Sequence, residues 1–471
     1  MTTSNEAGTD TPRAALVVVA NRLAVERTTA ADGSAGWQTS PGGLVTALVP
    51  IMQAKDGAWV GWHGAPDEEL EPFHHDGIDM IPVALSAGEV EEYYEGMSNA
   101  TFWPLYHDSV AFPEFHREWW DAYVAVNRRF AEAAASAADD NGTVWVQDYQ
   151  LQLVPSMLRE MRPDLRIGFF LHIPFPPSEL FQQLPWRRAV LEGLAGADLV
   201  GFQVPGAATN FLNLLRRRLG WDTHRQEFVR PDGSRGRAAA YPISIATQAF
   251  EDLANSPEVV ERAAQIREDL AAETVFLGVD RLDYTKGLRQ RVRAFGELFT
   301  SGELDPEKVV FVQVATPSRE RVEEYKRLRD DIELLVGRIN GDSGQLGRPP
   351  IHYLHQSFPR DEMAALYRAA DVMVVTPLRD GMNLVAKEYV ACRSDNDGAL
   401  VLSEFAGAAR ELKQAWQVNP YDIDGMKEAI LAAGRAGKQE TRRRMRALRK
   451  QVATHDIDHW AETFLADLDA I

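Results

Sequence analysis

Short, continuous apolar runs rich in β-branched residues recur along the chain, separated by longer stretches with helical periodicity. Ala15–Ala20 (ALVVVA), Thr143–Gln147 (TVWVQ), Arg166–Ile173 (RIGFFLHI) and Ala197–Phe202 (ADLVGF) form a first series. Continuity, in place of apolar–polar alternation, marks strands buried on both faces, and strands alternating with helices predict parallel, doubly wound sheets. The rhythm restarts with Thr274–Val279, Lys308–Ala315, Ile351–Leu354, Asp371–Thr376 and Ala399–Ser403. The pattern therefore predicts an α/β chain of two Rossmann-like halves. Between them, residues 240–272 open on YPISI and pass into a charged helical pattern, a hinge region. Near the end, Ile457, Trp460, Phe464 and Leu468 fall on one helical face, which needs an apolar surface to cover it.

Length agrees with this division, because 471 residues exceed what one hydrophobic core usually serves. Residues 1–13 are small and polar, read as a flexible tail, and lack the basic and apolar regions of a secretory signal. No apolar run approaches the roughly 20 residues of a membrane span, and the single cysteine, Cys392, cannot form an internal disulfide. These features predict a soluble cytoplasmic enzyme. The net charge of −19 repels nucleic acid and anionic membranes, so neither is expected as a partner. An anionic substrate then requires a few cations gathered locally.

In doubly wound sheets, ligands bind beyond the carboxyl ends of the strands. Asn21, Arg22, Asp148, His172, Arg281, Arg319 and Asp380 all fall there. In VDRLDYTKG (Val279–Gly287), Arg281 and Lys286 could form one cup for a diphosphate, or each could pair with a surface carboxylate. In SPGGLVTAL (Ser40–Leu48), Gly42 and Gly43 open a helical run whose amides suit phosphate, although a tight turn explains the pair equally well. In TPLRDGMNLVAKEYVA (Thr376–Ala391), Glu388 lies near a helix start, where it could accept from a ribose diol or serve the helix end. His172 ends a buried strand before a Pro-rich turn and lacks an HExxH or Cys cluster to join, so no metal site is expected. NPYDIDGM (Asn419–Met426) superficially resembles an aspartyl phosphatase motif. It follows Asn-Pro in a turn, however, and reads better as a helix entry capped by Asp422.

Together with ANRLAV (Ala20–Val25), EEYYEGMSNATFWPLYH (Glu91–His107), WVQDYQL (Trp145–Leu151), TPSR (Thr316–Arg319), GRINGDSGQLG (Gly337–Gly347) and SEFAGAA (Ser403–Ala409), these segments resemble the trehalose-6-phosphate synthase family of glucosyltransferases. The resemblance implies a GT-B fold: two Rossmann-like doubly wound domains facing a central cleft, with the C-terminal helix crossing back to the N-terminal domain. Residues 14–245 with helix 455–471 would bind the acceptor, and 246–454 the nucleotide sugar. It implies retaining transfer of glucose from UDP-, ADP- or GDP-glucose to glucose-6-phosphate, without metal or other cofactor, by a homo-oligomer with a tetramer among its forms.

Carried onto matching positions, Arg22, Tyr94, Trp103, Asp148 and Arg319 are implied acceptor contacts, with Arg22 and Arg319 at the phosphate. Gly42, Gly43, Arg281, Lys286, Phe358, Leu384, Val385, Ala386, Lys387 and Glu388 are implied donor contacts, with Phe358 near the base. His172 and Asp380 would grip the transferred glucose, and the catalytic set is Asp148, His172, Arg281, Lys286 and Asp380. The four cations would divide into two sets, one for each anionic substrate. A departure occurs at Gln147 and Gln150, where many members have histidine. Two alternatives stay open: a related transferase with another sugar-phosphate-like acceptor, and a catalytically silent sugar-nucleotide sensor.

Overall fold

The computed structural model describes residues 13–29, 35–40, 43–320 and 322–471. Gly42 and all of the expected tail except Arg13 lie outside the described residues. The chain divides into two compact units. The first takes residues up to Tyr106, Pro113–Tyr241 and Ala461–Ile471, and the second takes His107–Phe112 and Pro242–Trp460.

The first unit is built on a sheet whose parallel strands run in the order Arg235–Ala240, Leu199–Phe202, Arg166–Phe170, Ala138–Gln147, Ala14–Arg22, Ala58–Trp62 and Ile78–Pro82. Short antiparallel strands extend both edges. The apolar run after Ala14 is buried on both faces, as continuity of the run requires. Ala58–Trp62 and Ile78–Pro82 escaped the sequence pattern because neither carries a β-branched run. The order changes direction at Ala14–Arg22, the first strand, which is flanked by Ala138–Gln147 on one side and Ala58–Trp62 on the other.

Phe464 fills the apolar floor of this sheet. Its ring stacks on Trp145 at 4.5 Å and meets Phe170 and Tyr241 edge-on at 5.9 and 5.1 Å. The floor is level enough for it because Gly168 has no side chain: a Cβ there would lie 2.8 Å from Phe464 and 2.9 Å from Leu468. Gly168→Ala is therefore expected to destabilise the first unit by about 1–3 kcal/mol through overpacking. Urea unfolding followed by tryptophan fluorescence measures this, and an unchanged midpoint would show that the two side chains move aside freely.

The second unit has six parallel strands in the order Ile351–Leu354, Val309–Thr316, Thr274–Arg281, Val372–Val375, Ala399–Ser403 and Trp416–Val418. In chain order this is 3-2-1-4-5-6, the dinucleotide-binding arrangement, with its switch point between Thr274–Arg281 and Val372–Val375. Phe295 stacks on Phe311 at 4.0 Å in its core. Asp422 accepts from Gly425 N at 3.0 Å and caps the helix Ile423–Gly434, so NPYDIDGM is a helix entry.

The sequence reading drew the domain line after residue 245. Pro242–Ala246 group with the second unit because Ile243 O accepts from Lys387 Nζ at 2.8 Å and Ile245 O accepts from Ile457 N at 3.1 Å. Among the described residues, no helix is long and apolar enough to cross a membrane.

Candidate functional site

At the switch point of the second unit, the strand Thr274–Arg281 buries Asp280 and exposes Arg281. Asp283 then accepts from Thr285 N at 2.9 Å and from Thr285 Oγ1 at 2.8 Å, folding DYTKG into a tight turn that presents Lys286. Gly287 follows at φ +66°, and a Cβ there would stand 2.1 Å from Thr376 O, so a glycine is required twice over. Leu378 N donates to Thr285 O at 2.7 Å, stitching this loop to the one after Val372–Val375.

A single guanidinium ties these loops from beneath. Arg291 is 0% exposed; its Nη1 meets Asp280 Oδ2 at 2.6 Å and Gln313 Oε1 at 2.9 Å. Its Nε donates to Thr376 Oγ1 at 3.0 Å and its Nη2 to Lys286 O at 3.2 Å. Burial pushes the Asp280 carboxyl up, and Arg291 opposes that rise. Sequence reasoning missed Arg291 because LRQRVRAF offers three arginines at helical positions with nothing to mark the middle one as buried.

Above this anchor, Lys286 Nζ pairs with Asp380 Oδ2 at 2.7 Å, and Asn383 Nδ2 donates to the same oxygen at 3.2 Å. Burial pushes the Asp380 carboxyl up, but the Lys286 ammonium outweighs it and holds the group below its ordinary range. Fully buried Asp283 accepts from Tyr325 Oη at 2.9 Å and pairs with Arg319 Nη1 at 3.1 Å; Arg319 also donates to Tyr325 Oη. Burial pushes this carboxyl up too, yet Arg319, Arg281 and Lys286 together bring it well below the usual carboxylate range. Three of the four expected cations thus surround one carboxylate in one unit. The fourth, Arg22, belongs to the other unit.

The turn after Asp380 ends on Asn383, at φ +84°, whose side chain accepts from Ala386 N at 3.1 Å and caps the helix Leu384–Cys392. Glu388 is therefore not the cap. It accepts from Tyr367 Oη at 2.9 Å, and burial pushes its carboxyl up. The capped start leaves the amides of Leu384 and Val385 as the donors of the first turn, while Ala386 is buried. The Lys387 ammonium is buried and held by Glu411 Oε2 at 2.7 Å and Ile243 O, so the lysine offers a ligand only its backbone. Phe358 is half-buried in the turn after Ile351–Leu354.

A strap from the first half of the chain, His107–Phe112, joins this unit. Buried His107 lies near enough to Asp380 to help lower its pKa, and Asp108 pairs with Arg379 at 3.1 Å. Its ending of the WPLYH motif was the one available signal.

In the first unit, Arg22 ends its strand with its guanidinium 4.8 Å from the centre of the Trp62 ring, which Tyr94 meets edge-on at 6.4 Å. Next to Arg22, Asn21 Oδ1 accepts from buried Tyr93 Oη at 2.8 Å. Both tyrosines stand on a π-helix, Val90–Phe102, a rare geometry that recurs at functional sites. The chain continues into Trp103, buried with its ring 5.8 Å from that of Tyr149.

Asp148 has φ +72°, a strained backbone for a residue other than glycine. Its N donates to Phe170 O at 2.8 Å and its Oδ1 accepts from His172 N at 3.1 Å. Burial pushes the His172 imidazole down to about 3, and Gln147 Oε1 lies 2.9 Å from its Nε2. Asp148, His172 and Gln147 are thus gathered at the ends of two neighbouring strands. Gly43 is the first residue of the helix Gly43–Ala54 in the same unit.

Two Rossmann-like units, one with a cationic cluster at a dinucleotide-type switch point, define a glycosyltransferase of the GT-B class. The chain belongs to glycosyltransferase family 20, whose family model matches residues 14–470. A protein named trehalose-6-phosphate synthase from Mycolicibacterium gilvum (strain PYR-GCK) is 56% identical over 468 residues, covering 96% of this chain and 93% of its own. Among solved structures, one from E. coli bound with UDP-2-fluoro glucose superposes with a TM-score of 0.89 at 37% identity, covering 97% of this chain and 99% of its own. A UDP-forming alpha,alpha-trehalose-phosphate synthase from Burkholderia xenovorans in complex with glucose-6-phosphate gives 0.87 at 35% identity, covering 96% and 100%.

Proposed function

We propose that this chain transfers glucose from a nucleoside-diphosphate-glucose to glucose-6-phosphate with retention of the α anomer, giving α,α-trehalose-6-phosphate. The observation that carries the reading is the end-to-end likeness, at 56% identity, to a protein named for that synthesis. The clusters support it. Arg281 and Lys286 would bind the donor diphosphate and stabilise the charge that gathers on it as it leaves. Asp380, held ionised by Lys286, and His172 would grip the glucose. Gly42, Gly43, Phe358 and the segment Leu384–Glu388 would hold the rest of the donor. Arg22, Tyr94, Trp103, Asp148 and Arg319 would hold glucose-6-phosphate.

In the step itself, the bond from the anomeric carbon to the diphosphate oxygen breaks. A bond to the acceptor's anomeric hydroxyl oxygen forms on the same face, and the departing diphosphate takes the hydroxyl proton. Position and charge stabilisation are the protein's contribution.

Purified protein with glucose-6-phosphate, a chelator and each nucleotide-glucose is expected to release nucleoside diphosphate and form a non-reducing disaccharide phosphate. No product with any donor sinks the reading, and strict dependence on added Mg²⁺ sinks its metal-independent part. Arg319→Ala is expected to raise the KM for glucose-6-phosphate by roughly 10–100-fold, the value of a charge-assisted hydrogen bond. A change confined to the KM of the sugar nucleotide would move Arg319 to the donor side. Cytoplasmic residence and self-association belong to the same proposal, and light scattering on the purified chain tests the second.

A further inference from the structure

Just past the strand Thr274–Arg281, Leu282 N still donates to Thr316 O at 2.8 Å, so the chain enters Asp283 alongside the segment that leads to Arg319. The Asp283 carboxylate is 0% exposed, and its two oxygens serve different loops. Oδ1 accepts from Thr285 N at 2.9 Å and Thr285 Oγ1 at 2.8 Å, which shapes the turn that ends on Lys286. Oδ2 accepts from Tyr325 Oη at 2.9 Å and from Arg319 Nη1 at 3.1 Å. These four donors, two on each oxygen, fill the roughly four acceptor sites of a carboxylate. We propose that Asp283 is a positioning residue common to both substrates, one oxygen setting Lys286 toward the donor diphosphate and the other setting Arg319 toward the phosphate of the acceptor. The assignment rests on the reading of those two cations as substrate contacts.

Arg319 has φ +48°, a backbone that a residue other than glycine keeps only where its surroundings over-determine it. Its guanidinium lies 5.6 Å from the centre of the Tyr325 ring, and its Nη1 donates to Tyr325 Oη, whose own proton goes to Asp283. Tyr284, from within the Lys286 turn, meets the Tyr325 ring edge-on at 5.3 Å. The guanidinium has other contacts too; Asp283 and Tyr325 fix its Nη1 end. Charge calls for the same carboxylate. Arg281, Lys286 and Arg319 all act on Asp283, and cations gathered so closely repel one another. A buried anion among them offsets that repulsion before any substrate arrives. A neutral side chain could shape the turn or hold the tyrosine, but it could not do both and also offset three positive charges.

The test compares steady-state kinetics of the full-length protein with those of Thr285→Val, Tyr325→Phe and Asp283→Asn. Thr285→Val removes a donor on the Lys286 side; kcat is expected to fall roughly tenfold while the KM for glucose-6-phosphate stays within a factor of about two. Tyr325→Phe removes a donor on the Arg319 side; that KM is expected to rise roughly tenfold, with kcat within a factor of about two. Asp283→Asn leaves one accepting oxygen for four donors, so both parameters are expected to worsen by roughly tenfold or more. A merely structural role moves kcat and KM alike in all three variants, and that pattern overturns the proposal. An Asp283→Asn protein in which only one of the two changes overturns it as well. Calorimetric titration with whichever of UDP, ADP and GDP binds wild type tightest needs no turnover. That affinity is expected to fall roughly tenfold in Thr285→Val and to stay unmoved in Tyr325→Phe; equal losses overturn the Lys286 side. A wild type without turnover would remove the proposed function, while the nucleotide contrast would still decide the donor side of the proposal.

Discussion

Arg291→Ala is expected to cost the second unit about 3–5 kcal/mol, the usual penalty for leaving one member of a buried ion pair without its partner. Asp280 is 5% exposed, and water cannot take over the role of a guanidinium that is itself fully enclosed. Gln313 Oε1 and Thr376 Oγ1 lose their donors in the same stroke. Urea unfolding followed by circular dichroism, supported by hydrogen exchange of the strand Thr274–Arg281, measures the loss; less than about 1 kcal/mol would show that the cavity floods. The double substitution Asp280→Asn with Arg291→Met removes both charges and should recover part of the stability. Turnover should stay low even so, because Lys286 O still lacks the Nη2 donor that holds the loop.

Lys286→Ala is expected to lower kcat by about 10²–10³, the range for deleting one preorganised group that stabilises transition-state charge. The KM for glucose-6-phosphate should move far less. The substitution also strips Asp380 of its cation. With the pair intact, the folded-state carboxyl lies below its unfolded value, so its contribution to stability is present above the ordinary carboxylate range and fades as pH falls through the folded value. In the variant that contribution is missing at neutral pH, and the acid-side decline is correspondingly shallower. Steady-state release of nucleoside diphosphate at saturating acceptor, with thermal unfolding at neutral and acid pH, checks both. A kcat within a factor of a few of wild type would assign the leaving-group role to Arg281 instead.

What the sequence could show, and what it could not, follows from what a pattern of side chains reports. Continuous apolar runs located the strands on which Arg22, Asp148, Arg281 and Asp380 depend, because burial on both faces leaves a mark that needs no partner to be known. The order of the strands, and with it the switch point that has DYTKG and DGMN on its two sides, was visible only in the structure. Asp283 and Arg291 were invisible as anchors because a charged residue near a helix or turn looks the same whether it faces water or four hydrogen-bond partners. Lys387 shows the converse: it sits within the motif of the donor segment while its ammonium is held by Glu411, a partner that a pattern of side chains does not report. The π-helical path of Val90–Phe102 has no periodicity that distinguishes it from an α-helix over so short a span.

The position of Phe464 bears on how the molecule is made. The strands Ala138–Gln147, Arg166–Phe170 and Leu199–Phe202 leave the ribosome long before the ring that covers Trp145 and Phe170 exists. Translation therefore has to complete the whole of the later unit while the earlier one stands with its apolar floor uncovered, a surface open to chaperones in the nascent chain. The unit whose coding begins first is the last to close.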